Sequence, residues 1–211
     1  YKLCANAYDV LSALADVSRY PHVMLDCEGR VLGKVGGALS LLCLGTPEPG
    51  PEQRIYAVDV PGIRYLPTAH AAVADFLARR DIAKVVWDGR MDYIELCEVF
   101  GVEPASFLDL QVAEVLARAN VLGEVGQERL ARLHRLFGDI ELDPVLFAGI
   151  HVVLGMQAAM QMYAPSIPMH KDPVVEGIHK KRQSHLWLVR PVPFALLHYA
   201  AVDIRLLAHL F

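Results

Sequence analysis

Two carboxylates stand two residues apart in the stretch VMLDCEGRVLG, at Asp26 and Glu28. On an extended strand that spacing puts both side chains on one face. Like charges so placed repel each other unless something neutralises them. A hard divalent cation such as Mg²⁺ or Mn²⁺ does so with oxygen ligands drawn from few carboxylates. Taken alone, the pair also fits a solvated strand end. A third acid, Asp92, follows a strand-like run in KVVWDGRMDYIEL. It falls in the first turn of a helix, where a negative charge is favourable in any case. The fourth acid is Asp203, which interrupts the apolar stretch RPVPFALLHYAAVDIRLLAHL. Residues four apart on a helix lie about 40° from one another and residues five apart about 140°. Tyr199 therefore shares a face with Asp203, and His198 does not. Leu196, Leu197, Ala200, Leu206 and Leu207 mark the helix as heavily buried. A buried Asp is costly unless it is metal-bound or paired with a distant Arg or a backbone amide. Arg205 is close in sequence but points elsewhere.

These residues need elements to carry them, and the chain alternates strand and helix patterns over its first half. YDVLSALADVSRY has helical spacing, HVMLDCEG reads as a strand ending in acids, and ALSLLCLGT is the continuous apolar run of a buried strand. The Pro- and Gly-dense TPEPGPEQ turns the chain into a third strand, RIYAVDV. The helix TAHAAVADFLARR follows, with Thr68 as its candidate cap, then a fourth strand, AKVVWDG. MDYIELCEVFG is a helix stopped by Gly101. From about residue 108 onward the pattern is helical: DLQVAEVLARA, QERLARLHRLFG, DPVLFAGIHVVLGMQAAMQMY, DPVVEGIHKKRQSHLWLV and PVPFALLHYAAVDIRLLAHLF. Asp143-Pro144 and Asp172-Pro173 have the form of a cap followed by a first-turn proline, and Asp109 reads as a helix cap. The sum is an α/β fold, a mixed sheet covered by helices.

Composition narrows the class. At 211 residues, 54% apolar and 21% charged, the chain can bury one sizeable core. The expectation is a single domain over 1–211, excised from a longer chain. No run reaches about 18 uninterrupted apolar residues, so no membrane span is expected. The nearest candidate, VLFAGIHVVLGMQAAMQMY, is broken by His151, Gln157 and Gln161 and reads as a buried or half-buried helix. Four cysteines without a CxxC pair indicate buried thiols in a reducing, intracellular setting, nucleus or cytoplasm being undecided. Neither the His179/His185 pair nor the His198/His209 pair has zinc spacing with a cysteine. A net charge of −4 gives no support for a non-specific nucleic-acid surface, yet it is compatible with an acidic site filled by cations.

Asp26-x-Glu28, Asp92 and Tyr199-x-x-x-Asp203 together resemble the three exonuclease motifs of the DnaQ-like 3′–5′ exonuclease superfamily, in its tyrosine-bearing (DEDDy) branch. The text around the acids, VMLDCEGRVLG, VVWDGRMDYIEL, FLDLQVAEVLA and RPVPFALLHYAAVDIRLL, is similar to the RNase D-like 3′–5′ exonuclease domain, especially the eukaryotic subgroup with Egalitarian-type proteins. The likeness covers about residues 20–118 and 186–211. It implies a ribonuclease H-like mixed sheet with an extended helical C-terminal half, including a helical insert at about 120–186. It implies that Asp26, Glu28, Asp92 and Asp203 hold two divalent cations, Mg²⁺ or Mn²⁺, and that Tyr199 orients the attacking water. His198 also matches the histidine-bearing branch, which places its histidine five residues before the last aspartate; the helical-face argument and the text YAAVD favour Tyr199. Trp87 and Asp88 stand where relatives often have His and Asn or Asp. The implied substrate is the 3′ end of single-stranded RNA, with DNA as the alternative. A catalytically inactive RNA-binding or scaffold module, with protein partners reached through the insert, is a different class of reading. Lys180, Lys181 and Arg182 are candidates for contact with substrate phosphates or form a solvated helix face. Arg190 is a candidate for substrate contact or for pairing with an acid that braces the fold.

Overall fold

The computed structural model describes residues 1–138, 143–180 and 183–211, without the side chains of Glu176, His179 and Lys180. Six strands form one mixed sheet: β1 (Lys2–Cys4), β2 (His22–Arg30), β3 (Ala38–Gly45), β4 (Ile55–Asp59), β5 (Ala83–Val86) and β6 (Phe107–Asp109), in the order β1-β4-β3-β2-β5-β6. β2, β3 and β4 are antiparallel neighbours, while β1 on β4, and β5 and β6 beyond β2, run parallel. The four expected strands are present. β1 and β6 are additional, each three residues long, too short for a period of two to show.

Both faces of the sheet are covered, which is why β3 and the Val23–Leu25 part of β2 read as unbroken apolar runs. Val23, Leu25, Leu42, Leu44 and Val58 point to one side and pack against α1 (Ala7–Val17), α3 (Pro67–Ala78) and α4 (Arg90–Phe100). Met24, Leu41, Cys43, Ala57 and Val85 point to the other, against the long α9 (Phe194–Leu210) and the fully buried Trp187. By strict alternation Asp26 and Glu28 continue the Met24 side and so face α9. A bulge between Glu28 and Gly29 shifts the β2–β3 register there. A Cβ on Gly29 would lie 2.2 Å from the Ala38 carbonyl oxygen, so only glycine fits where the strand bends away from the acids.

Helix ends follow the chemistry expected of them in most cases. Asp109 caps α5 (Leu110–Val121) through the Gln111 amide, and Gly101 closes α4 in the left-handed conformation at φ 67°. Thr68 is not the cap of α3: the helix begins at Pro67, with Leu66 before it and no side-chain cap. The first proline fixes the helical φ without needing an N–H partner, which makes a hydroxyl cap dispensable.

The 145–163 stretch departs from the single helix expected. After α6 (Gly126–Phe137) the chain makes turns through 144–149 and runs extended to Gly155, and only α7 (Met156–Tyr163) is helical. Gly149 has φ 73°, a left-handed conformation that interrupts the helix. The extended carbonyls are met by side chains instead. Arg118 donates to Val152 O, Gln111 Nε2 to Leu154 O at 2.9 Å, and Trp87 Nε1 to the same oxygen at 3.3 Å. Arg118 is fully buried, pairs with Glu114 at 2.8 Å, and Glu114 also accepts from the Tyr163 hydroxyl at 3.0 Å. α8 (Pro173–Lys180) and a 3-10 turn (Ser184–Leu188) then lead to α9. The expected Asx capping at Asp172 is present, its carboxylate accepting the Val174 amide at 2.8 Å. Lys181 and Arg182 lie outside the described residues, as does the side chain of Lys180.

Candidate metal centre

β2 presents Asp26 and Glu28 toward α9, and α9 presents Asp203 back toward β2. One carboxylate oxygen from each of the three lies within 4.8 Å of the others. Asp92 enters from the first turn of α4 and is also buried. It accepts from the Cys27 backbone amide, between the two β2 acids. Three carboxylates, two from β2 and one from α9, thus cluster together, and Asp92 lies near enough to add its charge to Asp26.

The electrostatic consequence is large. Burial, then the negative charges of Asp203 and Asp92, push the Asp26 carboxyl well above its usual range. Burial, then Asp26, does the same to Glu28. Burial and the nearby Asp88 raise Asp92 to about 7. The thiols of Cys27 and Cys43 are pushed up by burial and by the same acids, so both remain unreactive thiols.

Among the described residues, Lys171 answers these charges. Lys171, in the connection between α7 and α8, places Nζ 2.7 Å from Asp203 Oδ2 and 5.3 Å from the centre of the Tyr199 ring. The sequence reading missed this lysine. A signal existed, since a buried Asp without a helical-spacing cation requires one from elsewhere, but no periodicity links positions 171 and 203. The pocket's donor set is all oxygen, and an ammonium already stands in it. Both observations fit a hard divalent cation at this place.

Tyr199 lies on the buried face of α9 with Asp203, 6% exposed, whereas His198 faces solvent and stacks on Phe194. Burial, then the Asp203 charge, holds the Tyr199 phenol above its ordinary range, so it keeps its proton. The turn before Asp92 is held rigidly. Asp88 has φ 54°, and the Asp88 and Gly89 amides donate to Asp109 at 3.0 and 3.1 Å. Asp109 is therefore both a cap and a clamp. Arg190 pairs with an acid, one of its two expected roles: it donates to Asp59 at 2.7 Å, to Ser40 and to the Trp187 and Val189 carbonyls. Beside Glu28 a groove of about 560 Å³ is lined by Cys27, Gly29, Val31, Leu32, Lys34 and Ser184.

Comparison with solved structures decides the architecture. Trypanosoma brucei RNase D superposes over 100% of this chain with a TM-score of 0.73 at 20% identity. The chain has the RNase D fold. The same T. brucei enzyme in complex with RNA U12 matches with a TM-score of 0.71, and the Aedes aegypti Nibbler EXO domain, 17% identical, matches at 0.63 over 99% of this chain and 84% of its own. Escherichia coli RNase D, described as an exoribonuclease involved in structured RNA processing, matches at 0.61 with 18% identity. The chain spans 63% of the T. brucei RNase D chain and 42% of the E. coli one. No protein-family model and no curated protein sequence matches. The mixed sheet and its flanking helices thus have the arrangement seen in these RNase D structures. Among the described residues, no helix is long and apolar enough to cross a membrane.

Proposed function

We propose that this chain is a metal-dependent 3′–5′ exonuclease acting on single-stranded nucleic acid, RNA in preference to DNA. The observation that carries the reading is the convergence of Asp26, Glu28 and Asp203 within 4.8 Å, with Asp92 behind them and Tyr199 on the same face of α9. In this reading Asp26, Glu28, Asp92 and Asp203 hold two divalent cations, Mg²⁺ or Mn²⁺. Such a pair, when bound, supplies the Lewis acidity that makes water a nucleophile near neutral pH and stabilises the leaving oxygen. Tyr199 keeps its proton and is unsuited to be a base; it donates the hydrogen bond that aims the attacking water. The groove beside Glu28 has the volume of a small-ligand site and can receive the terminal nucleotide. The preference for RNA is supported by the RNA-bound relative of the same fold.

A second reading has one observation in its favour. The ammonium of Lys171 sits on Asp203, as it would in a module that binds RNA without cleaving it. Single-stranded RNA and DNA of one sequence, labelled at the 5′ end, separate the two. Incubation with Mn²⁺ is expected to shorten RNA one nucleotide at a time from the 3′ end, faster than DNA, and EDTA to stop it. Retention of intact RNA by the Mn²⁺-loaded protein would favour the binding module.

A further inference from the structure

The acid pocket contains a cation of its own, and its delivery is built into the fold. Lys171 is held at both ends. Its backbone amide donates to Gln157 Oε1 at 3.2 Å, and Gln157 Nε2 donates to the Met169 carbonyl at 3.2 Å. Gln157 lies on α7, whose Met156 and Met160 pack on Val202 and Leu206 of α9, flanking Asp203. Its side chain then runs past the Tyr199 ring to Asp203 Oδ2, 2.7 Å away, with 16% of the lysine side chain and 6% of the aspartate side chain exposed. Asp26 adds its attraction to that of Asp203. An ammonium in such surroundings is not an incidental surface contact. It stands against an oxygen that a divalent cation would need.

We propose that Lys171 is the tethered counter-cation of this pocket: it pairs with Asp203 in the metal-free protein, and a divalent cation binds only by displacing its ammonium from that carboxylate. The connection between α7 and α8 thereby sets the affinity of the pocket for metal. Any ligand that competes with a resident cation has its apparent affinity reduced by the stability of the resident state. Removing the ammonium takes this competitor away from Asp203, so metal binding tightens and the metal-free state weakens. The proposal rests on the nuclease reading of the acids.

The test is Mn²⁺ titration calorimetry on the metal-free protein, on Lys171→Met and on Lys171→Arg. Lys171→Met is expected to bind Mn²⁺ about tenfold more tightly than the parent, a difference of about 1.4 kcal/mol. Lys171→Arg, which keeps the charge, is expected to stay close to the parent. Equal or weaker binding by Lys171→Met would overturn the proposal while leaving the nuclease reading intact. Absence of Mn²⁺ binding in both the parent and the methionine variant would sink the nuclease reading and this proposal with it. The parent protein supplies a measurement independent of any variant's folding. Amine-specific labelling read by mass spectrometry is expected to modify Lys171 slowly in EDTA and several-fold faster at saturating Mn²⁺. An unchanged rate overturns the displacement.

Discussion

The sheet with its flanking helices and the described residues of the connection at about 120–186 are held together by different physics. In the first, Val23, Leu25, Leu42, Leu44, Met24 and Leu41 bury both faces of the central strands, and Asp26, Glu28, Asp92 and Asp203 are fixed by elements that apolar packing positions. In the second, α7 packs Met156 and Met160 on α9, but elsewhere side chains hold backbone: Arg118, Gln111 and Trp87 grip the carbonyls of Val152 and Leu154, and Arg129 grips those of Phe147 and Ile150. Val121, Val145 and Leu146 remain largely exposed there. The difference matters for the site. Negative charge comes from the apolar-packed region, and the positive charge that answers it, Lys171, comes from the polar-tethered one. A hydrophobic core tolerates few rearrangements, whereas a segment held by a handful of hydrogen bonds can yield, each such bond contributing about 1 kcal/mol.

The sharpest way to probe this division is to neutralise one acid on each side of the pocket. Asp26→Asn and Asp203→Asn are both expected to lower exonuclease turnover by about 10³-fold or more, since each removes a proposed metal ligand. Their effects on metal-free stability are expected to differ in sign. Asp26→Asn relieves repulsion from Asp203 and Asp92 and should raise Tm by about 2–4 °C, equivalent to about 1 kcal/mol. Asp203→Asn strips Lys171 of its partner and should cost about 1–3 kcal/mol. Thermal melts in EDTA check both, and a shift of the same sign in the two variants would contradict the pairing.

Next in size is the root of the connection. Arg118 is fully buried against Glu114, so Arg118→Ala leaves a buried carboxylate unpaired and should cost about 3–5 kcal/mol locally. Hydrogen exchange is expected to rise across 150–163 with little change in β2 and β3. Equal loss of protection in those strands would show that the two regions unfold as one.

Legibility in the sequence follows the same line. Where packing imposes a period, the residues announce it: β2 and β3 as apolar runs, α9 as a buried helix, and Tyr199 rather than His198 beside Asp203. Strands of three residues such as β1 and β6 carry no period to read. The 145–155 stretch misleads because it is apolar enough for a helix while its conformation is set by Gly149 and by side chains up to 67 positions away, as between Trp87 and Leu154. Lys171 is reached through Gln157, a link of the same kind. Arg190 could be narrowed to two roles by sequence, and only the structure names its acidic partner, Asp59.

The pH dependence of stability isolates the acids from everything else. In the folded, metal-free protein the Asp92 carboxyl keeps its proton up to about 7, while in the unfolded chain it releases it near 3.9. Between these values the folded state binds more protons than the unfolded one, so stability falls as pH rises from about 4 to 7 and levels off above. Asp26 and Glu28 are shifted the same way and add to the fall. The expected loss is about 2–4 kcal/mol in EDTA. Saturating Mn²⁺ should cancel it, because a cation that needs deprotonated ligands binds better as pH rises. Melts at pH 5, 6, 7 and 8 with and without Mn²⁺ measure this, and a flat EDTA series would mean that the pocket is not charged as described.

The smallest expected effects compare two neighbours on α9. Tyr199 is buried with Asp203 and beneath the Lys171 ammonium, and His198 is exposed and touches Phe194. Tyr199→Phe keeps the ring, its packing and the cation–π contact and removes only the hydroxyl, so Tm should change by less than about 3 °C. Turnover should fall about tenfold or more, the loss of one hydrogen bond that aims water. His198→Ala removes an exposed ring and is expected to change stability by less than about 0.5 kcal/mol, with turnover within about twofold of the parent. The comparison is sharpest because both residues ride on the same helix: any general disturbance of α9 would reach both variants. A histidine variant that lost activity while the phenylalanine variant kept it would place the water-directing group on the solvent side of the helix, where the structure offers no carboxylate to work with among the residues described.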